Sequence, residues 1–227
     1  MKRFLIVVTN ISKYETINRA TGLWFGEAVH FADVMYAHGY EIDFVSPNGG
    51  YTPIDPHSLQ EDFMTPLDWA YYQNHDFMAL LGNTKRPEDI HPNDYEGIYY
   101  AGGHGVVWDF KDNVALQRLA RQIHENGGII SSVCHGAVGL LNITDAQHNK
   151  LIDGVKVTGF SNSEERAVGL DAYVPFLTED ELKAAGAHYD KAEDWSEYAV
   201  VDGSFVTGQN PQSGKAVADA IVKHFKK

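Results

Sequence analysis

Apolar runs of two kinds alternate along this chain. Phe4–Val8, Glu41–Val45, Gly97–Tyr100, Ile129–Val133 and Val155–Phe160 are short and mostly apolar, the pattern of buried strands. Between them, apolar residues recur at helical spacing. Trp24, Ala28, Phe31 and Met35 share one face of a segment running from Trp24 to His38, which stops at Gly39. Val114–Glu125 is amphipathic and ends at Asn126-Gly127-Gly128, and Ala137–Leu141 reads as the apolar start of another helix. Thr178–Ala185 opens with Thr178 as an N-cap and Glu181 three residues on, a capping box, and Ala216–Phe225 is a closing amphipathic helix. Tyr198–Val201 and Ser204–Thr207 flank Asp202-Gly203 and predict a β-hairpin. Residues 51–95 break the alternation: they are polar and aromatic, with weak helical signals at Leu59–Met64 and His75–Leu81.

Strands alternating with helices predict an α/β fold with a mainly parallel sheet covered on both faces. The 227 residues suit one domain, 1–227, with 51–95 as an excursion that covers or lines a site. Ligands in such sheets collect beyond the carboxyl ends of the strands. The Gly102-Gly103 turn, Cys134 and Phe160 all stand at such ends.

Composition narrows the partners. A net charge of −13, with histidines neutral, disfavours contact with a phosphate backbone, so no nucleic-acid partner is expected. The one cysteine excludes an internal disulfide and suits a reducing compartment. Met1-Lys2-Arg3 and the apolar run after it resemble a signal peptide, but Thr9-Asn10 end that run too early, and a first strand is expected instead. No stretch has the length of a membrane span, so no membrane partner is expected, and the expected location is cytoplasmic.

That cysteine carries the chemistry. In GGIISSVCHGAVGLLN, Gly127 to Asn142, a strand runs into Ser132, Cys134 and Gly136, small residues flanking a nucleophile before a helix. This is the nucleophile-elbow pattern with sulfur replacing the hydroxyl. A helix N-terminus there favours thiolate, and an exposed thiolate also oxidises readily, so a redox-sensing role stays open. His135 is placed to act as acid or base, and its backbone N–H to bind an oxyanion. Gly102-Gly103 can bring a second N–H donor close to a ligand. His104 either lines the site or bonds within its turn. Glu27, by spacing alone, complements the first helix dipole. Glu164 or Glu165 could orient the His135 ring; otherwise they are a solvated pair in a helix's first turn. The eleven histidines show no metal-binding spacing, so no metal and no cofactor are expected.

Six segments together are similar to one family: residues 21–50, YTPIDPHSL (51–59), YYAGGHGVVWDF (99–110), SSVCHGAVGLLN (131–142), VTGFSNSEE (157–165) and VVDGSFVTGQNPQS (200–213). They resemble the DJ-one/ThiJ/PfpI superfamily, in the branch of glutathione-independent glyoxalase III and the heat-shock protein thirty-one chaperones. The resemblance implies a flavodoxin-like three-layer α/β/α sandwich, as in class I glutamine amidotransferases. It implies a catalytic Cys134 with His135, an acidic third member at Glu165 with Glu164 as the neighbouring alternative, and a carboxylate near the sulfur at Glu27. It implies an oxyanion hole at Gly103 and the His135 N–H, and pocket positions at Trp24, His104 and Trp108. The larger bacterial chaperones have an extra N-terminal stretch that is lacking here, so their added surface and metal site are not carried over. The implied function is a cofactor-free, cysteine-dependent lyase turning methylglyoxal, a 2-oxoaldehyde, into D-lactate. Alternatives are a stress chaperone or holdase, a protein deglycase, and a small-molecule amidase or peptidase-like hydrolase. The implied assembly is a homodimer.

Overall fold

A computed structural model describes residues 2–225. The strands are β1 (Lys2–Val7), β2 (Tyr40–Val45), β3 (Gly97–Tyr100), β4 (Ile129–Val133), β5 (Lys156–Val157), β6 (His188–Tyr189), β7 (Ala199–Asp202) and β8 (Phe205–Gly208). The α-helices are α1 (Phe25–Ala37), α2 (Pro66–Tyr72), α3 (His75–Gly82), α4 (Val106–Asp109), α5 (Val114–Glu125), α6 (Asn162–Ala167), α7 (Thr178–Ala184) and α8 (Gly214–Phe225). Six strands form one sheet in the order β2-β1-β3-β4-β8-β7, parallel except for the β7 edge. With β8 as the fifth parallel strand, this is the flavodoxin-like order.

Alternation along the strands builds two cores. In β1, Phe4 and Ile6 face a layer containing α1 and α8, and Leu5 and Val7 face a layer containing α5 and α7. In β3, Tyr99 takes the first side and stacks on Phe31 with centroids 3.7 Å apart, whereas Ile98 and Tyr100 take the second. Both faces are therefore dry, which explains why these strands read as continuous apolar runs.

Several elements differ from expectation. No helix spans Leu59–Met64; a 3₁₀ turn at Pro56–Leu59 precedes α2, whose capping box is Thr65 and Asp68. Val155–Phe160 does not join the main sheet: only β5 is extended, and it pairs with β6. The Thr158 N–H instead reaches the Thr207 hydroxyl at 2.9 Å, a side-chain bond in place of a ladder. Thr178 is not a cap, because Leu177 occupies that position without a side-chain bond and the Thr178 hydroxyl is buried without a partner. The helix expected at Ala137–Leu141 is a 3₁₀ segment that starts at the cysteine itself, Cys134–Leu140.

Candidate active site

The β4 backbone breaks abruptly at Cys134, which sits at φ 56°. A non-glycine residue there costs about 1–2 kcal/mol, and such strain persists only where the surroundings impose it. They do so here through close backbone contact: a Cβ on Gly136 would lie 2.2 Å from the Tyr100 carbonyl oxygen. The elbow is thus wedged against the end of β3. Cys134 is 3 % exposed, yet it lines a cavity of about 310 Å³ together with Trp24, Gly103, His104 and His135.

One wall beside the sulfur is acidic. Glu27 is fully buried, and its Oε2 accepts the Gly102 N–H at 2.6 Å. Its Oε1 has no hydrogen-bond partner, and the carboxyl adjoins the Cys134 sulfur. Burial pushes the Glu27 carboxyl up to about 8, against the pull of Cys134 and the Gly102 N–H. Glu27 therefore carries a proton at neutral pH. Since Oε2 is accepting from a backbone donor, the proton belongs on Oε1. Burial also pushes the Cys134 thiol well above its ordinary value, and an ionised Glu27 adds to that push; the His135 backbone N–H acts the other way. The exposed, low-pKa thiolate expected at a helix start is not what the fold builds. A short 3₁₀ turn supplies only one useful N–H, and desolvation outweighs it.

The opposite wall is basic. His135 Nδ1 lies 3.4 Å from Cys134 Sγ, and His135 Nε2 lies 2.5 Å from Glu165 Oε2. Burial, then the neighbouring His104 ring, hold His135 below its ordinary value against the pull of Glu165. Glu165 feels burial upward, but His135 and His104 more than offset it and hold it well below the usual carboxylate range. An ionised Glu165 only accepts, so neutral His135 donates from Nε2 and turns its Nδ1 lone pair toward the thiol. His104 Nε2 donates to the other carboxylate oxygen, Oε1, at 2.6 Å. Of the two readings of His104, the structure supports lining the site, and it adds a bond to Glu165 across the site.

Glu164 and Glu165 separate cleanly. Glu164 closes the α6 capping box with Ser161, and its Oε1 accepts from the Trp195 N–H and the Gln209 and Asn210 amides. It ties three segments together and makes no hydrogen bond to Cys134, His135 or His104. Gly103, at φ 102°, leaves its N–H without a partner among the described residues. Trp24 lines the cavity, as the resemblance implied. Trp108 does not: it packs edge-on against Tyr14, centroids 5.1 Å apart, and Tyr14 in turn packs on His104. The scattered histidines also partly converge, since donor atoms of His104, His135 and Glu165 lie within 4.8 Å of one another, a set that could take a metal ion. Sequence spacing could not reveal it, because the three residues come from three separate segments, after β3, after β4 and within α6.

The model of the DJ-1/PfpI family matches residues 25–224, and relatives agree over the same length. The chain belongs to the DJ-1/PfpI family. Among curated relatives, the glutathione-independent glyoxalase HSP31 of Saccharomyces cerevisiae is 32% identical over 226 residues, covering 96% of this chain and 95% of its own. The solved glyoxalase III of Candida albicans superposes with a TM-score of 0.89 at 32% identity, covering 98% of this chain and 96% of that one. The Francisella tularensis Rapid Encystment Protein 24 KDa superposes with a TM-score of 0.93 at 37% identity, covering 98% of both chains.

Around the sulfur, this DJ-1/PfpI chain adds residues that pattern reading missed. Phe63, Val168, Trp195, Pro211 and Gln212 complete the cavity wall with Phe160. Most lie in loops without periodicity, so no local signal marks them. Only Phe160, at the end of an apolar run, carried a hint.

Proposed function

We propose that this chain is a glutathione-independent glyoxalase that converts methylglyoxal to D-lactate through Cys134. The observation that carries the reading is the placement of the sulfur between a neutral acid, Glu27, and a neutral base, His135, whose tautomer Glu165 sets. The glyoxalase names of similar proteins support the same reaction class.

The chemistry follows from the geometry. Cys134 attacks the aldehyde carbon, and the thiol proton passes to His135 Nδ1, making an imidazolium that Glu165 stabilises. The oxyanion forms between the Gly103 and His135 backbone N–H groups and takes that proton, giving a hemithioacetal. His135, neutral again, moves the proton of the former aldehyde carbon to the ketone oxygen, giving an enediol, and then moves the hydroxyl proton of the sulfur-bearing carbon to the neighbouring carbon, leaving a thioester. Methylglyoxal and one water then balance lactate: the aldehyde carbon is oxidised, the ketone carbon is reduced, and hydrolysis of the thioester frees the sulfur. Glu27, protonated beside the sulfur, is the acid that offsets negative charge there. His135 rather than Glu27 is the base, because Glu27 holds its proton at neutral pH.

The test is purified protein with methylglyoxal and no added thiol, with a stereospecific lactate assay. D-lactate formation is expected; consumption of methylglyoxal without lactate would reject the reading. The same reading carries a homodimer in the cytoplasm, and sedimentation velocity should return twice the chain mass. Among the described residues, no helix is long and apolar enough to cross a membrane. A holdase activity has one observation in its favour, the exposed aromatic side chains of Phe63, Trp69 and Tyr72 on the excursion. Suppression of client aggregation that survives loss of Cys134 would support it.

A further inference from the structure

We propose that the cavity is built for a 2-oxoaldehyde with an aromatic substituent, and that Trp195, Phe63, Phe160 and Trp24 form the subsite that receives the ring. This rests on the glyoxalase reading and names its substrate class.

Size is the first argument. Methylglyoxal has half the heavy atoms of phenylglyoxal. The cavity holds about 310 Å³. A methyl substituent leaves more of that apolar-walled space to water than a phenyl substituent does.

The lining is the second argument. The reactive groups are contiguous: Cys134 adjoins the His135 ring, Glu165 bridges His135 and His104, and Gly103 directly precedes His104. Apart from Gln212, the remainder is aromatic and aliphatic, with no charged side chain among the lining residues. A phosphorylated or carboxylated substituent would find no cation there, in a chain whose net charge is −13. The rings stand edge-on in pairs, Trp24 with Phe63 at 5.1 Å and Phe160 with Trp195 at 5.8 Å, the arrangement into which a further ring packs well.

The third argument is strain. Trp195 lies at φ 64°, a conformation a tryptophan adopts only when forced. The force is visible: its N–H is held at 2.9 Å by Glu164 Oε1, and that carboxylate is itself fixed by Ser161, Gln209 and Asn210. The indole nonetheless remains 39 % exposed, so the core gains little from it. A strained backbone that sets a half-exposed ring at a cavity mouth is the signature of a ligand clamp. Phe63, 46 % exposed, stands in the same wall.

The experiment measures kcat/KM for phenylglyoxal, followed as mandelate, and for methylglyoxal, followed as lactate, both without thiols. Both reactions balance in the same way, with one water added and hydrogen moved within the substrate. Wild type should favour phenylglyoxal by about tenfold or more. Because intrinsic reactivity differs between the two aldehydes, the deciding quantity is the change in that ratio in Trp195→Asn, since asparagine accepts the left-handed backbone. The ratio should fall by about tenfold. Phe63→Ala, at an exposed position, should lower it in the same direction and serves if the first variant folds poorly. A wild type that turns over methylglyoxal but does not prefer phenylglyoxal, or a ratio unmoved in both variants, would overturn the subsite and leave the glyoxalase reading intact. Failure with both aldehydes would overturn the two together.

Discussion

Cys134 and Glu27 share one dry corner, and most of the site's pH behaviour follows from that. Glu27 has an ordinary value of 4.5 and is pushed to about 8 by burial. The folded chain therefore holds a proton that the unfolded chain releases above pH 4.5, so this residue's contribution to stability declines as pH rises from there to 8. Glu27→Gln removes the penalty. The variant should be more stable than wild type at pH 8, by up to about 4 kcal/mol, with the difference vanishing near pH 4.5; urea unfolding at several pH values measures it. Activity should show the complement. In wild type kcat/KM should fall near pH 8 as Glu27 ionises and repels charge on the sulfur, and Glu27→Gln should lose that alkaline limb. An unchanged limb would assign it to another group. The two adjacent glutamates give a second test. Glu165→Gln should lower kcat by about 10²-fold or more, because the amide cannot accept from both imidazoles, while the fold stays intact. Glu164→Ala should lower stability by about 3 kcal/mol, since buried amides and the Trp195 N–H lose their acceptor, and circular-dichroism melts separate the two cases.

At the scale of elements, the site is a meeting of strand ends held by close backbone contact. Gly103 is among the tightest of these: a Cβ there would lie 2.2 Å from the Gly22 carbonyl oxygen and 2.6 Å from the Trp24 N, at φ 102°. Gly103→Ala should destabilise the chain by about 2 kcal/mol or more and disturb the oxyanion donor, both readable from chemical denaturation and kcat. Elements whose character is local were legible in the sequence: β3, β4 and α5 have the expected limits because apolar runs and helical periodicity need no distant partner. Val155–Phe160 misled because its apolar content reflects burial against Ala137 and Leu182 near Gly159, not pairing in the main sheet. The 3₁₀ character of 134–140 was hidden for a similar reason, since it follows from the wedge against Tyr100. Among site residues, Cys134, His135 and Gly103 declare themselves by motif. Glu27 and Glu165 needed the family resemblance, because their partners lie far along the chain. Trp195 had no sequence signal at all, because its conformation is imposed by Glu164, a tertiary contact.

The whole molecule places these parts where its topology puts ligands. The order β2-β1-β3-β4-β8-β7 reverses beside β1, and the reactive groups lie past the carboxyl ends of β3 and β4. Two cores fix those ends from both faces, so the sulfur, acid and base are held on rigid elements while the aromatic wall comes from loops. At this scale the central claim is that catalysis passes through a single sulfur atom. The direct measurement is D-lactate formation from methylglyoxal, without thiols, by wild type and Cys134→Ala side by side, both shown to be folded by their melting curves. The expected result is steady D-lactate from wild type and none above the uncatalysed rate from Cys134→Ala. Comparable rates from the two proteins would contradict the mechanism.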